Sequence, residues 1–79
     1  MIVSTTNTIE GMRIIKTIGA VEAKSTSFSL DEITSARKNL EKKAERLGAN
    51  AIINLQYKKP TPLLGALHAY GTAVIVEEK

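Results

Sequence analysis

The spacing of apolar and polar residues predicts one helix between β-strands in this 79-residue chain. From Met12 to Ala23 branched apolar residues dominate, with a few charges between them, which is typical of a strand buried in part on both faces. Gly19 in the middle of this strand predicts a bulge or a close approach of another backbone. We expect a short leading strand at residues 1–5 and a turn closed by Gly11.

The clearest predicted element is a helix that begins near Ser29 and ends at Gly48. Ser29 and Glu32 have the spacing of a capping box, in which the hydroxyl accepts from the first turn and the glutamate reaches back. Gly48 suits the left-handed conformation that ends a helix. Apolar residues at steps of three or four predict one buried stripe: Leu30, Ile33, Ala36, Leu40, Ala44 and Leu47.

Two more strands are predicted after the helix, at residues 51–58 and 67–78, with Asn50 turning the chain between the helix and the first of them. Strict alternation places Ala51, Ile53 and Leu55 on the face toward the helix. Two prolines and a glycine make residues 59–66 a loop. The fold expected is α+β, strand-helix-strand-strand, with a three-stranded antiparallel sheet packed on one helix and a short extra N-terminal strand, in a single domain of residues 1–79.

The second face of this sheet predicts an oligomer. One helix covers only one face of a sheet, and the opposite face holds Ile52, Val74 and Val76 with no sequence left to cover it. An ordinary half-solvated antiparallel sheet is the alternative, but solvated faces are seldom so rich in valine and isoleucine. We therefore predict a symmetric homo-oligomer that buries this face together with Leu63 and Leu64 of the loop.

Composition argues against several function classes. The chain has no cysteine and one histidine, so disulfides, thiolate sites and histidine clusters within one chain are excluded. A net charge of +3 and three aromatic residues are too little for a nucleic-acid interface. The N-terminus does not read as a secretory signal and no apolar run is long enough for a bilayer, so we expect a cytoplasmic protein without nucleic-acid or membrane partners.

A few residues are candidates for binding chemistry. His68 could be one ligand of a metal site repeated around an oligomer axis, but a strand histidine without a ligand role is favoured, because soft metals require thiolates or clustered imidazoles. Ser4, Thr5 and Thr6 could bind a ligand or hydrogen-bond the backbone, and the second use is the more common. No general base, phosphate loop, nucleophile elbow or zinc signature is present, so neither catalysis nor a cofactor is expected.

Charged residues of the helix give two further interpretations. Lys38, Lys42 and Arg46 follow one face of the helix and could attract phosphates, but the acidic neighbours Glu41 and Glu45 favour a solvated face. A separate position, Arg37, falls inside the apolar arc. The Arg37 side chain either reaches outward into solvent or pairs with a carboxylate such as Glu22 or Glu10 at a subunit contact.

The sequence resembles the YbjQ family over nearly its whole length. The matching segments, in order, are STT (4–6), EG (10–11), GAV (19–21), LGANA (47–51) and GTAV (71–74). The resemblance implies small subunits similar to dodecin subunits that assemble into pentameric rings, and a family label of heavy-metal binding. It also draws attention to Ser4, Thr5, Thr6 and Glu10 as ligand-binding candidates, since they match the family pattern.

The function expected is a non-catalytic homo-oligomeric module, pentameric as the resemblance implies, that binds an unidentified small molecule or serves as a structural assembly. A metal-binding or metal-sensing protein is the first alternative. A weak enzyme is the second, with a site shared between subunits and built from the threonine-rich N-terminus and Glu10.

Overall fold

The chain folds as one helix on a mixed sheet. The computed structural model describes residues 1–26, 31–59 and 66–79. The elements are β1 (Ile2–Val3), β2 (Met12–Lys24), α1 (Glu32–Arg46), β3 (Ala51–Lys58) and β4 (His68–Glu78). Strands in the sheet follow the order β1-β3-β4-β2; β1 is parallel to β3, and the other pairs are antiparallel. The predicted α+β fold is confirmed, and β1 extends the antiparallel sheet to four strands.

Helix α1 begins after Asp31, not after Ser29. The Asp31 carboxylate accepts a 3.1 Å hydrogen bond from the Thr34 amide and a 2.6 Å bond from the Thr34 hydroxyl. The Glu32 carboxylate accepts from the Lys59 ammonium at 3.2 Å. The prediction that Ser29 caps the helix is therefore wrong, and Ser29 itself lies outside the described residues.

The end of α1 is the one predicted. Gly48 has a φ of 90°. Its amide donates to Glu45 O at 2.9 Å and the Ala49 amide donates to Ala44 O at 3.0 Å. This pair of bonds is the Schellman arrangement, which satisfies carbonyls that the helix leaves free. Only Ala49 and Asn50 therefore separate Gly48 from the start of β3.

The buried stripe of α1 is shorter than its sequence pattern. Ala36, Leu40 and Ala44 are fully buried, whereas Ile33 and Leu47 are 57% and 54% exposed. The helix thus contacts the sheet from Ala36 to Ala44, whereas Ile33 in its first turn and the C-cap residue Leu47 lie beyond that contact. The prediction is wrong for the two end positions because periodicity gives a side chain's direction but not the width of the surface beneath it. Leu30 lies outside the described residues.

A β-bulge in β3 breaks the expected alternation: Leu55 faces the helix as predicted, whereas Ala51 and Ile53 do not. Asn54 has a φ of 55°, and the pairing with β4 shifts register between Ile53 and Gln56. Ile52 and Leu55 consequently lie in the cluster that packs on the helix, while Ile53 lies on the opposite face. The prediction of strict alternation is wrong here, because the extra residue at a bulge moves the following side chains to the other face.

The second apolar face is covered by the chain's own N-terminal segment. Val74 and Val76 are 0% and 4% exposed, and Ile9 and Met12 pack against their cluster. The prediction that no sequence remains to cover this face is therefore wrong. Leu63 and Leu64, expected in the same interface, lie outside the described residues.

Candidate functional site

The two halves of the edge strand β2, residues 12–18 and 19–24, differ in how far other parts of the chain cover them. In the second half, side chains of α1 bind outward carbonyls: the Lys43 ammonium donates to Glu22 O at 2.7 Å, and the Asn39 amide donates to Lys24 O at 2.8 Å. In the first half, Ile14 and Ile15 are 37% and 54% exposed. Among the described residues, no side chain donates to the backbone of this first half. An uncovered, apolar sheet edge is a ready surface for another chain.

A basic groove of about 660 Å³ lies where α1 passes over the second half of β2. Its basic residues come from both elements, Lys24 from the strand and Lys42, Lys43 and Arg46 from the helix. In the described part of the chain, none of the four forms an ion pair with a carboxylate. The remaining lining residues are Glu22, Ala23 and Asn39.

A second hollow of about 370 Å³ continues the basic groove toward the end of α1. It shares Glu22, Lys43 and Arg46 with the groove, so the two spaces are contiguous. Its other walls are mainly apolar and include Val21 and the half-exposed Leu47. The combined surface therefore offers positive charge at one end and hydrocarbon at the other.

His68 is held by a carboxylate on the neighbouring strand. Its Nδ1 lies 2.8 Å from Glu22 Oε1, and the His68 side chain is 14% exposed. The Tyr70 ring stacks at a centroid distance of 6.1 Å. When Nδ1 carries the proton shared with Glu22, Nε2 is an acceptor and a possible metal ligand.

The hydroxyls of the N-terminal segment bond to its own backbone. Ser4 Oγ and Thr6 Oγ1 both donate to Thr8 O, at 3.0 and 2.9 Å. The Thr6 amide in turn donates to Ser4 Oγ at 3.1 Å. The structure thus brings two of the predicted ligand residues together, in a turn that stabilises the segment covering the second face.

The other predicted site residues lie apart from that turn. Thr5, Glu10 and Arg37 are exposed, and no hydrogen bond or ion pair among the described residues joins Glu10 or Arg37 to Ser4 or Thr6. Within the chain, Arg37 reaches solvent; its pairing with a carboxylate at a subunit contact stays a prediction. Near it, the hydrogen bond from the Thr34 hydroxyl is the main cause that lowers the pKa of Asp31, and the Arg37 charge adds to the effect.

Neither a metal-ligand cluster nor a membrane-spanning helix occurs in residues 1–26, 31–59 and 66–79. In these three ranges, no group of three or more histidine, cysteine, aspartate or glutamate side chains is placed to hold a metal ion. The same ranges contain no helix with the length and apolarity needed to cross a bilayer.

Sequence reasoning found only part of the basic groove. Helical spacing identified Lys42 and Arg46, but it placed Lys38 beside them, and Lys38 does not line the groove. The contribution of Lys24 and the direction of Lys43 depend on how α1 crosses β2, which spacing within one element does not give. One signal could have indicated these contacts: the outer carbonyls of an edge strand need hydrogen-bond donors, and side chains on the helix can supply them.

These features define a small α+β domain, with one helix on a mixed sheet, a self-covered second face and an open edge along the first half of β2. The family model described as "Putative heavy-metal-binding" matches residues 26–77, which is more than half of the chain. The chain belongs to this family, the YbjQ family.

Relatives and a solved structure agree with this assignment. A UPF0145 protein of Methanocaldococcus jannaschii is 35% identical, over 99% of this chain and 94% of its own length. A UPF0145 protein of Thermotoga maritima is 39% identical, over 80% of this chain and 62% of its own length. The crystal structure of a protein with unknown function from Pediococcus pentosaceus superposes with a TM-score of 0.67 at 28% identity, covering 98% of both chains.

Proposed function

We propose that this chain is the subunit of a non-catalytic, cytoplasmic homo-oligomer that assembles through the first half of β2 and binds a small molecule. The observation that carries the proposal is the exposure of Ile14 and Ile15 on an open edge strand. A pentamer is the subunit number that the resemblance to the family implies.

The surface proposed for assembly differs from the one expected from the sequence. Ile9 and Met12 already pack against the second sheet face, so an interface there would bury little additional apolar surface. The first half of β2 instead combines exposed branched side chains with edge backbone groups that have no side-chain partner among the described residues, the combination that favours strand addition by a second chain. When one surface of a subunit binds a different surface of the next copy, the assembly closes into a ring if the rotation between copies allows it.

Native mass spectrometry of the purified protein tests the proposal. We expect one closed assembly whose mass is a whole multiple of 8.6 kDa, with any retained small molecule seen as an added mass. A protein that remains a single chain at all accessible concentrations would contradict the assembly. The oligomeric state of the Ile15→Lys variant then tests whether the first half of β2 is the surface through which copies assemble.

Metal binding is the second candidate function. The family description names it, and the contact between Glu22 and His68 resembles the carboxylate–histidine pairs that orient metal ligands. A single chain supplies one imidazole, whereas zinc sites have four ligands. The remaining ligands would have to come from neighbouring copies, for example where their His68 side chains lie close to a ring axis.

Calorimetric titration separates this candidate from the first. If the subunit binds metal through His68, zinc or nickel releases heat with the wild type and not with His68→Ala. Tyr70→Phe is the matched control, since it keeps the stacked ring and removes no strong ligand. Absence of heat with the wild-type assembly would remove metal binding as a function.

A further inference from the structure

The basic groove contains four cationic side chains that have no acidic partner in the described chain. Lys42 and Arg46 lie one turn apart on α1, a spacing at which like charges repel. Basic residues near a helix C-terminus interact favourably with the helix dipole, which accounts for a cation there but not for Lys24 on the facing strand. The helix C-terminus alone therefore does not explain why four cations from two elements line one cavity.

One of these cations has a fixed position. The Lys43 ammonium donates one of its three hydrogen bonds to Glu22 O at 2.7 Å. Its two other N–H groups are left for water or a ligand. The Glu22 carboxylate, the one acidic group of the lining, is engaged by His68 at 2.8 Å. The groove therefore has a net positive charge, and one of its donors is already held in place.

We propose that the groove and its hollow bind a small organic phosphate, with the phosphate among Lys24, Lys42, Lys43 and Arg46 and the hydrocarbon part over Val21 and Leu47. The charge selects an anion, and lysine and arginine together are a common phosphate-binding set. The apolar wall beside the charge selects an anion that carries an aliphatic group. This site takes up the small-molecule part of the proposed function and is complete within one chain, so it does not depend on assembly.

The test uses hexyl phosphate, inorganic phosphate and 1-hexanol as probes, titrated into the full-length protein by calorimetry. Wild type should bind hexyl phosphate more tightly than inorganic phosphate and should not bind hexanol measurably. Lys42→Gln combined with Arg46→Gln should weaken the binding of hexyl phosphate about tenfold, because each of the two exposed charges contributes about threefold. Leu47→Asn should remove the advantage of hexyl phosphate over inorganic phosphate and leave inorganic phosphate unchanged.

The matched control is Lys38→Gln combined with Lys58→Gln, which removes the same charge from exposed positions outside the groove. Its affinity should stay within about twofold of wild type, since distant exposed charges are screened by salt. Equal losses in the two double variants, or no binding by wild type, would overturn the proposal.

Native mass spectrometry of the same samples separates this proposal from the assembly. If the Lys42/Arg46 double variant changes the subunit number, a second copy occupies the groove and the phosphate site is overturned. If wild type is a single chain and still binds hexyl phosphate, the assembly fails and the site stands. If wild type assembles and does not bind hexyl phosphate, the assembly stands and the phosphate site fails.

Discussion

The backbone amide of Asn54 donates a 2.8 Å hydrogen bond to the carbonyl oxygen of Thr6. Asn54 is the bulge residue of β3, with a φ of 55°, and Thr6 belongs to the N-terminal segment. One contact therefore links the bulge that changes the facing of β3 to the segment that covers the second apolar face.

The conformation of Asn54 predicts which substitutions the bulge accepts. Among non-glycine residues, asparagine tolerates the left-handed region best, and a β-branched residue tolerates it least. Asn54→Val should lower the free energy of unfolding by about 1–3 kcal/mol, whereas Asn54→Gly should leave it nearly unchanged. Urea denaturation of both variants checks this, and a valine variant as stable as the glycine variant would contradict the assigned bulge.

The packing of α1 gives a second prediction, in which two aliphatic residues of one predicted stripe behave differently. Leu40 is fully buried, so Leu40→Ala should cost about 2–5 kcal/mol and unfold much of so small a domain. Ile33 is 57% exposed, and Ile33→Ala should change stability by less than about 1 kcal/mol. Comparable losses in denaturation of the two variants would show that the stripe is buried along its full length.

Gly71 gives a third prediction through its contact with Ile52. A Cβ at position 71 would lie 2.5 Å from Ile52 Cγ2 and 3.2 Å from Ile53 O. Gly71→Ala should therefore cost about 1–3 kcal/mol by overpacking. In an Ile52→Ala background the contact with Cγ2 is removed and the 3.2 Å contact with Ile53 O remains, so the same substitution should cost clearly less. A double-mutant cycle measures this coupling, and additive losses would mean that the two sites do not touch.

The helix N-cap predicts a pH dependence. The ionised Asp31 carboxylate accepts both hydrogen bonds from Thr34, so its folded-state pKa lies below the usual value of 3.8. Its contribution to stability is fully present above 3.8 and is lost as the pH falls through the lowered folded-state pKa. Asp31→Asn keeps a capping oxygen but does not titrate.

Thermal unfolding across an acidic pH series checks this dependence. The stability difference between wild type and Asp31→Asn should be largest near neutral pH and should decline once the pH falls below 3.8. A difference that stays constant over the series would show that the charge of Asp31 does not stabilise α1.

How much of the fold was predictable depends on whether a feature is local. The helix end at Gly48 and the bulge at Gly19 follow from what single residues permit, and both are confirmed. The facing of β3 could not be predicted, because a period of two contains no signal for a bulge at an asparagine. The packing of Ile9 on the second face could not be predicted either, because a single apolar residue in a turn does not indicate which surface it will contact.

The candidate site was predictable to a smaller degree. Ser4 and Thr6 were expected either to bind a ligand or to bond the backbone, and the structure shows the backbone bonds. The basic groove joins Lys24 to residues of α1 that lie far from it in sequence, and that proximity is a property of the packed fold.

Sedimentation velocity of wild type and Ile15→Lys tests the central claim, that copies of this subunit meet at the first half of β2. Wild type should sediment as a closed oligomer. Ile15→Lys should sediment as a folded single chain of 8.6 kDa, with its fold verified by circular dichroism, because a charge there repels an apolar partner strand. Ile33→Lys, an equally exposed isoleucine on α1, should keep the wild-type assembly. A folded, monomeric wild type, or an Ile15→Lys variant that assembles like wild type, would contradict the claim.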